Sequence, residues 1–570
     1  MVEQIDRLTL GILWDRLISI CDEAYQAFLK SAFSPVVRDA YDAVFVIFDS
    51  KARLIAQASL GPPSFIGTCT NTINHLLRKY SPSTLKPGDV LATNDPWIGT
   101  GQINDLTMVR PIFVGNQLVG FTGTVQHLTD IGGVHTQSGI ATEIYEEGLR
   151  IPPVKLVIGG HMNEELFELI AYNVRANKQV IGDIKAGITT NILGEKLIRK
   201  FMEDYELDNL LSVSEAIISL SLQVMKAKIA ELPGGEYTHT VFAEGYEENE
   251  EIKIKCNITV ENEEIDINFD GSSPAIRRGL NVPFVYTKAY AFYALKCVIS
   301  PELPNNDGSI TPIHVSAPEG SILNALPPVA TSARHVIGWF VPMAVWGALA
   351  HAAPDRIIAE SGMPAAMPFM GRSDNGRQFV LPLGCPTMIG GSGARPNSDG
   401  EIMAVPTNVA RFPIEVWENE SDGALLVELA ELVPDSGGAG RFRGGLSTES
   451  IIVNLSHYPV AMAVTSNRMR YPAQGYFGGG NGRLHEVYIN EKRILQKGIY
   501  QLNRGDKLKI ITASGGGIGN PRERSPQKLL DDLINGYITL SAAKEVYGVE
   551  IREDQIRAVK RALTEKSVHV

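Results

Sequence analysis

Residues 93–139 read TNDPWIGTGQINDLTMVRPIFVGNQLVGFTGTVQHLTDIGGVHTQSG, and the rest of the chain is organised around them. Asp95, Gln102, Asp105, His127, Asp130 and His135 sit here among glycines and small residues. Two apolar runs, MVRPIFV and QLVGFTGTV, meet at Gly115-Asn116, which is the pattern of a β-hairpin closed by a two-residue turn. Such a hairpin brings Asp105, just before its first strand, close to His127, just after its second. A carboxylate meeting an imidazole at one end of a sheet points to acid/base or metal chemistry. The same residues also read as turn caps (Asp105, Asp130) and a half-buried, satisfied histidine.

Length and composition bound the problem. A chain of 570 residues is too long for one core and predicts three or four lobes. With 44% hydrophobic and 20% charged residues it has the make-up of a soluble globular protein. A net charge of −12 argues against a nucleic-acid partner, which needs a basic footprint. Five cysteines lie far apart with no CxxC pair, which fits a reducing cytoplasm and neither a disulfide framework nor a thiolate zinc site. The N-terminus is charged too early and too often for a signal peptide. The apolar run 336–350, VIGWFVPMAVWGALA, is bounded by His335 and His351. At that length it reads as a buried core helix and not as a membrane span.

The fold class expected is mixed α/β (α+β) and multi-lobed. A helix-rich N-terminal half carries the hairpin, a β-rich C-terminal half follows, and a short helical tail ends the chain. Helical spacing runs from Thr9 to Lys30, and AVFVIFDSKARLIAQ predicts two short strands around residues 49–52. LFELIAYNVRANKQVIGDIKAGI and SEAIISLSLQVMKAKIAEL are helical runs, stopped by Pro233-Gly234-Gly235. From Glu236 the period becomes two, predicting an antiparallel meander. Region boundaries are therefore expected at 1–235, 236–370, 371–525 and 526–570, with Ser541 capping a helix in the tail.

Absent motifs narrow the chemistry. There is no GxxxxGK[ST] loop, no GxSxG elbow and no HExxH. The glycine runs 478–482 and 515–519 read as tight β-turns. Arg395, Arg441 and Arg443 lie on glycine-rich turns, where they suit either an anionic intermediate or structural ion pairs. Asn408, in PTNVARFPIE, carries the same ambiguity.

NDPWIGTGQINDLTMVRP followed by QHLTDIGG resembles the hydantoinase B/oxoprolinase family. That family includes N-methylhydantoinase B, the large subunits of acetone and acetophenone carboxylases, and ATP-dependent lactamases. The blocks EIYEEGLRIPPVKL, GLNVPFVYTKAYAFYALKC, APEGSILNALPP, GGSGARPNSDG, PDSGGAGRFRGGL and GGGIGNPRERSPQKLLDD carry the likeness along nearly the whole chain. The resemblance implies one half of an ATP-dependent machine. A separate kinase-like, hydantoinase A-type ATPase subunit phosphorylates a cyclic amide or ketone, and this subunit completes hydrolysis or carboxylation. The assembly implied is a hetero-oligomer with ATP bound by the partner. A non-catalytic scaffold subunit is the reading from a different class.

The resemblance also implies site residues. Family metal ligands fall on Asp42, Asp105 and His127. A family histidine falls on Gln102 and another on Phe65. An amide oxygen is a poorer ligand than an imidazole for zinc, iron or manganese. The remaining oxygen-rich set leans towards manganese or magnesium. Without a metal, Asp105 and His127 become the catalytic acid/base pair. Phe65, Trp97 and Leu128 suit an apolar or aromatic substrate or simple core packing, and Arg395 and Asn408 complete the candidate substrate-binding set.

Overall fold

The computed structural model describes residues 5–134, 138–365, 367–382, 384–407 and 413–552. The fold is mixed α/β, with four sheets among these residues. Its first sheet is built from β1 (Ala43–Asp49), β2 (Leu54–Gln57), β3 (Val90–Thr93), β4 (Asp105–Val114), β5 (Gln117–His127), β6 (Val154–Ile158) and β7 (His161–Met162), in the order β2-β1-β5-β4-β3-β6-β7. Every neighbouring pair is antiparallel. The hairpin turns at Gly115 and Asn116 as its sequence predicts, and Gly115 supplies the left-handed φ of +57° that such turns require. Its register sets Asp105 directly opposite His127.

Long helices pack across this sheet. Arg7–Ser31 lies against β1 and β2, and Asn177–Asp204 lies against β4 and β5. Glycines 187 and 194 bring the second helix down onto Met108, Gln126 and Phe45, where an added Cβ would collide with those side chains. The helical run that begins at residue 166 is not continuous. It breaks between Glu164–Asn173 and Asn177–Asp204 because the buried carboxylate of Asp130 takes the backbone N–H groups of Arg175 and Ala176. A charged acceptor there replaces helix carbonyls as the partner of those donors.

The second sheet begins as the predicted meander, β8 (Gly235–Glu244), β9 (Glu251–Glu261) and β10 (Glu264–Asn268). A fourth strand, β11 (Ile313–Ser316), then joins β10 in parallel, after a crossover through the helix Phe284–Ile299. Phe340–Leu349 is buried at every residue and packs on that helix and on β8 and β9. No helix among the described residues is long and apolar enough to cross a membrane.

Two antiparallel sheets form most of the C-terminal part. One joins Gln378–Leu381, Phe369–Arg372, Val460–Val464 and Gly498–Leu502; the other spans five strands from Leu425–Leu432 to Lys492–Ile494. The glycine runs are not simple turns. A Cβ on Gly515 or Gly517 would strike the carbonyl oxygens of Ser392 and Ala439, so these glycines allow backbones to pack against one another. In the tail, Pro526–Asn535 and Leu540–Glu545 are helical, and the rest of the predicted helix lies outside the described residues. The cap there is Thr539, whose hydroxyl accepts from the N–H of Ala542; Ser541 lies inside the helix.

Candidate active site

Three adjacent strands converge at one end of the first sheet. Asp42 immediately precedes β1, and its carbonyl accepts the backbone N–H of His127 at 3.0 Å. His127 ends β5, and Asp105 begins β4. Tyr41 turns the chain into β1 with a left-handed φ of 59°, uncommon for a bulky residue. The Tyr25 hydroxyl donates to its carbonyl at 2.9 Å, fixing that turn.

The polar groups then meet. His127 Nδ1 lies 2.8 Å from Asp105 Oδ1 and 4.0 Å from Asp42 Oδ2. Gln102 Nε2 donates to Asp105 Oδ1 at 2.6 Å and lies 2.9 Å from His127 Nδ1. The other carboxylate oxygen, Asp105 Oδ2, accepts from the Thr100 hydroxyl and from the Arg334 guanidinium, the latter at 2.8 Å. Arg334 also donates to the Thr100 carbonyl at 3.0 Å and lies 4.1 Å from the ring centre of Tyr286. Gly101, at φ +95°, makes room for it: a Cβ there would come within 2.8 Å of Arg334 Cδ. The turn before Arg334 is anchored by Glu147, which accepts from the backbone N–H groups of Thr331 and Ser332 at 2.8 and 2.7 Å. Burial pushes the Glu147 carboxyl up to about 7, against those hydrogen bonds.

These contacts separate the two carboxyls. Burial raises Asp105, but the Arg334 charge, His127 and Thr100 outweigh it and hold the group below the usual range. Asp42 has no such cation in contact, and burial pushes it up to about 6 despite the partial offset from His127. Burial lowers the His127 imidazole, yet its hydrogen bond to Asp105 and the charge of Asp42 prevail and raise it. Two titratable groups pushed apart by environment mark distinct acid and base roles.

A cavity of about 100 Å³ opens onto this cluster. Asp42, Gln102, Asp105, His127 and Arg334 line it, with Phe65, Tyr286, Tyr290, His335, Trp339 and Met388 among its other walls. Phe65 is therefore at the site, on the short turn Pro63–Phe65. Trp97 is not among the lining residues: its indole N–H donates to the Ala325 carbonyl at 2.8 Å, and Arg150 sits over its ring. Leu128 is buried in a core cluster with Ile103 and Ile131. Arg395 pairs with Glu401 at 2.8 Å, exposed and away from the cavity lining. Arg443 lies 3.5 Å from Asp532 in an ion pair. Asn408 and His135 lie outside the described residues. Asp95 faces Arg150 at 3.3 Å, and Asp130 holds Arg175.

The donor set was tested against a divalent metal. As arranged, it does not make a metal centre. The set has one imidazole, whose Nδ1 faces Asp105, and Gln102 turns its amide N–H to the same carboxylate. Asp105 is already neutralised by Arg334. No group of three His, Cys, Asp or Glu side chains able to hold an ion occurs among the described residues. Arg334, His335, Glu147 and Tyr286 were not singled out from sequence as site residues. The one signal available was Arg334-His335 standing just before a long apolar run, where a buried charge needs a partner.

Comparison with known proteins places these features in context. The sequence model described as hydantoinase B/oxoprolinase matches residues 6–521. An uncharacterised protein of Methanocaldococcus jannaschii is 32% identical over 562 residues, covering 96% of each chain. The B chain of a putative D-/L-hydantoinase from a Pseudomonas species is 28% identical over 581 residues, covering 97% of each. The crystal structure of the ATP-dependent caprolactamase from Pseudomonas jessenii superposes with a TM-score of 0.87 at 25% identity, covering 97% of this chain and 98% of that one.

Proposed function

Because the chain belongs to the hydantoinase B/oxoprolinase family, we propose that it is the hydantoinase B-type subunit of an ATP-dependent amidohydrolase, acting on a cyclic amide phosphorylated by a partner subunit. The observation that carries this reading is the pair of carboxyls set apart around His127 at the mouth of an aromatic-walled cavity. ATP belongs to the partner in this reading, because the chain has no phosphate-cradling loop. The relative named as one chain of a multi-chain hydantoinase supports a hetero-oligomer with a kinase-like ATPase. Five free cysteines suit a reducing cytoplasm.

The roles follow from the geometry. The partner phosphorylates the amide oxygen, which makes the carbon electrophilic. Asp42, ionising near neutrality, takes a proton from a water as its oxygen bonds to that carbon. The C–N bond then breaks with its electron pair going to nitrogen, which takes a proton from the His127 imidazolium. The resulting acyl phosphate is hydrolysed by a second water in the same place. Asp105 stays ionised, orienting His127 and balancing Arg334.

The test is reconstitution. Co-expressed with its ATPase partner, the chain is expected to open hydantoin, 5-oxoproline or caprolactam with ATP consumed in step, while the isolated chain leaves ATP intact. ATP turnover by the homogeneous isolated chain overturns the division of labour. Incorporation of labelled bicarbonate into product would assign the chain to the ketone carboxylases instead.

A further inference from the structure

The polar groups at the site centre are almost all committed to one another. Asp105 accepts from Gln102, Thr100, His127 and Arg334, and Arg334 is shared between Asp105, the Thr100 carbonyl and the Tyr286 ring. One imidazole on the cavity wall stands outside this network. His335 opens the short helix His335–Gly338, directly after Arg334. Its ring centre lies 4.8 Å from that of Trp339, inclined by 51°. Its ring nitrogens make no hydrogen bond or ion pair to another described residue. Half-buried in a wall of the site, the ring has only cavity contents left to bind.

We propose that His335 is a catalytic hydrogen-bond donor, its ring N–H binding the oxygen on the reacting carbon where negative charge develops. The inference deepens the cyclic-amide reading above and rests on it. Burial, together with the charges of Arg334 and His127, pushes the imidazole down to about 3. At working pH the ring is therefore uncharged and carries a single N–H. A neutral imidazole can donate to a carbonyl oxygen without adding a further positive charge beside Arg334, and triosephosphate isomerase uses a neutral histidine in that way. No bond to His335 forms or breaks, and the ring keeps its proton throughout. Trp339 holds the ring plane from one side, so that the donor is preorganised at no cost during the reaction.

The experiment uses the full chain with its co-expressed ATPase partner and the same three cyclic amides. His335→Phe is expected to lower kcat by about 100-fold while KM stays within about threefold, the pattern of a lost transition-state donor. His335→Gln, which restores an N–H of similar reach, should regain about tenfold of that loss. A kcat for His335→Phe within about threefold of wild type overturns the proposal. A second measurement does not depend on the substrate. Diethyl pyrocarbonate acylates only neutral imidazole, so mass mapping of the full chain at pH 7 should find His335 modified faster than His127. If His335 is modified more slowly than His127, the proposal falls whatever the turnover shows. If the wild-type complex opens none of the amides, the cyclic-amide reading falls with it, and the modification order alone decides whether His335 is a free neutral imidazole.

Discussion

Asp42 and Asp105 face His127 from the two strands that flank it, with Asp105 Oδ1 2.8 Å and Asp42 Oδ2 4.0 Å from its Nδ1. The difference in reach is also a difference in protonation. Asp105 is held ionised by Arg334, whereas burial leaves Asp42 titrating at about 6. One carboxylate is therefore an anchor, and the other is free to exchange a proton at neutral pH.

Asp42→Asn removes the proposed base while keeping its volume. Turnover by the complex should fall about 100-fold or more, and the rise of wild-type activity through an apparent pKa near 6 should disappear. Stability moves the other way. A carboxyl whose folded pKa is raised contributes stability below its unfolded pKa and loses it as pH rises through the folded value. Thermal melts should therefore show Asp42→Asn more stable than wild type at pH 8, with the gain vanishing near pH 4. An unchanged pH profile of turnover would rule Asp42 out as the base.

Asp105→Asn leaves Arg334 buried without its counter-charge. Breaking a buried pair from one side costs about 3 to 5 kcal/mol, so a large drop in urea midpoint is expected. Adding Arg334→Met to the same chain should return part of that stability without returning turnover. If the single and double variants melt alike, the ion pair does not bear the structural weight given to it here.

Gly101→Ala tests how Arg334 is aimed. The backbone there has φ +95°, and the new methyl would meet the Arg334 side chain at 2.8 Å. The expected result is a loss of at least about tenfold in kcat with the protein still folded, since the displacement is local. Full activity would mean that Arg334 can leave Asp105 without consequence.

Gln102→His asks whether this position can make a metal centre. An imidazole in place of the amide would join His127, Asp105 and Asp42, and calorimetry should show zinc or cobalt binding tightened at least about tenfold, with little change for magnesium. Since Asp42 and His127 are proposed to work as a proton donor and acceptor, the bound ion should suppress turnover, and chelator should restore it. Zinc binding no tighter than in wild type would show that residue 102 does not point to a common centre with the other three.

The parts of the site that adjoin in sequence were legible from sequence. Alternating apolar runs around a Gly-Asn pair specify a hairpin, and a hairpin's register is local, so Asp105 and His127 had to end opposite each other. The meander from Gly235 and the buried helix within 336–350 follow from periodicity in the same way. Asp42 entered only through family resemblance, because its place depends on β1 pairing with a strand about 80 residues away. Trp97 shows the opposite error: close to the site in sequence, it has its indole N–H tied to Ala325. Arg334 comes from 229 residues beyond Asp105, and no spacing rule links the two. Which cation neutralises a buried carboxylate, and hence which of two aspartates stays charged, is set by side chains meeting across elements. Periodicity records which face of an element is buried; only the packed chain determines what that face meets.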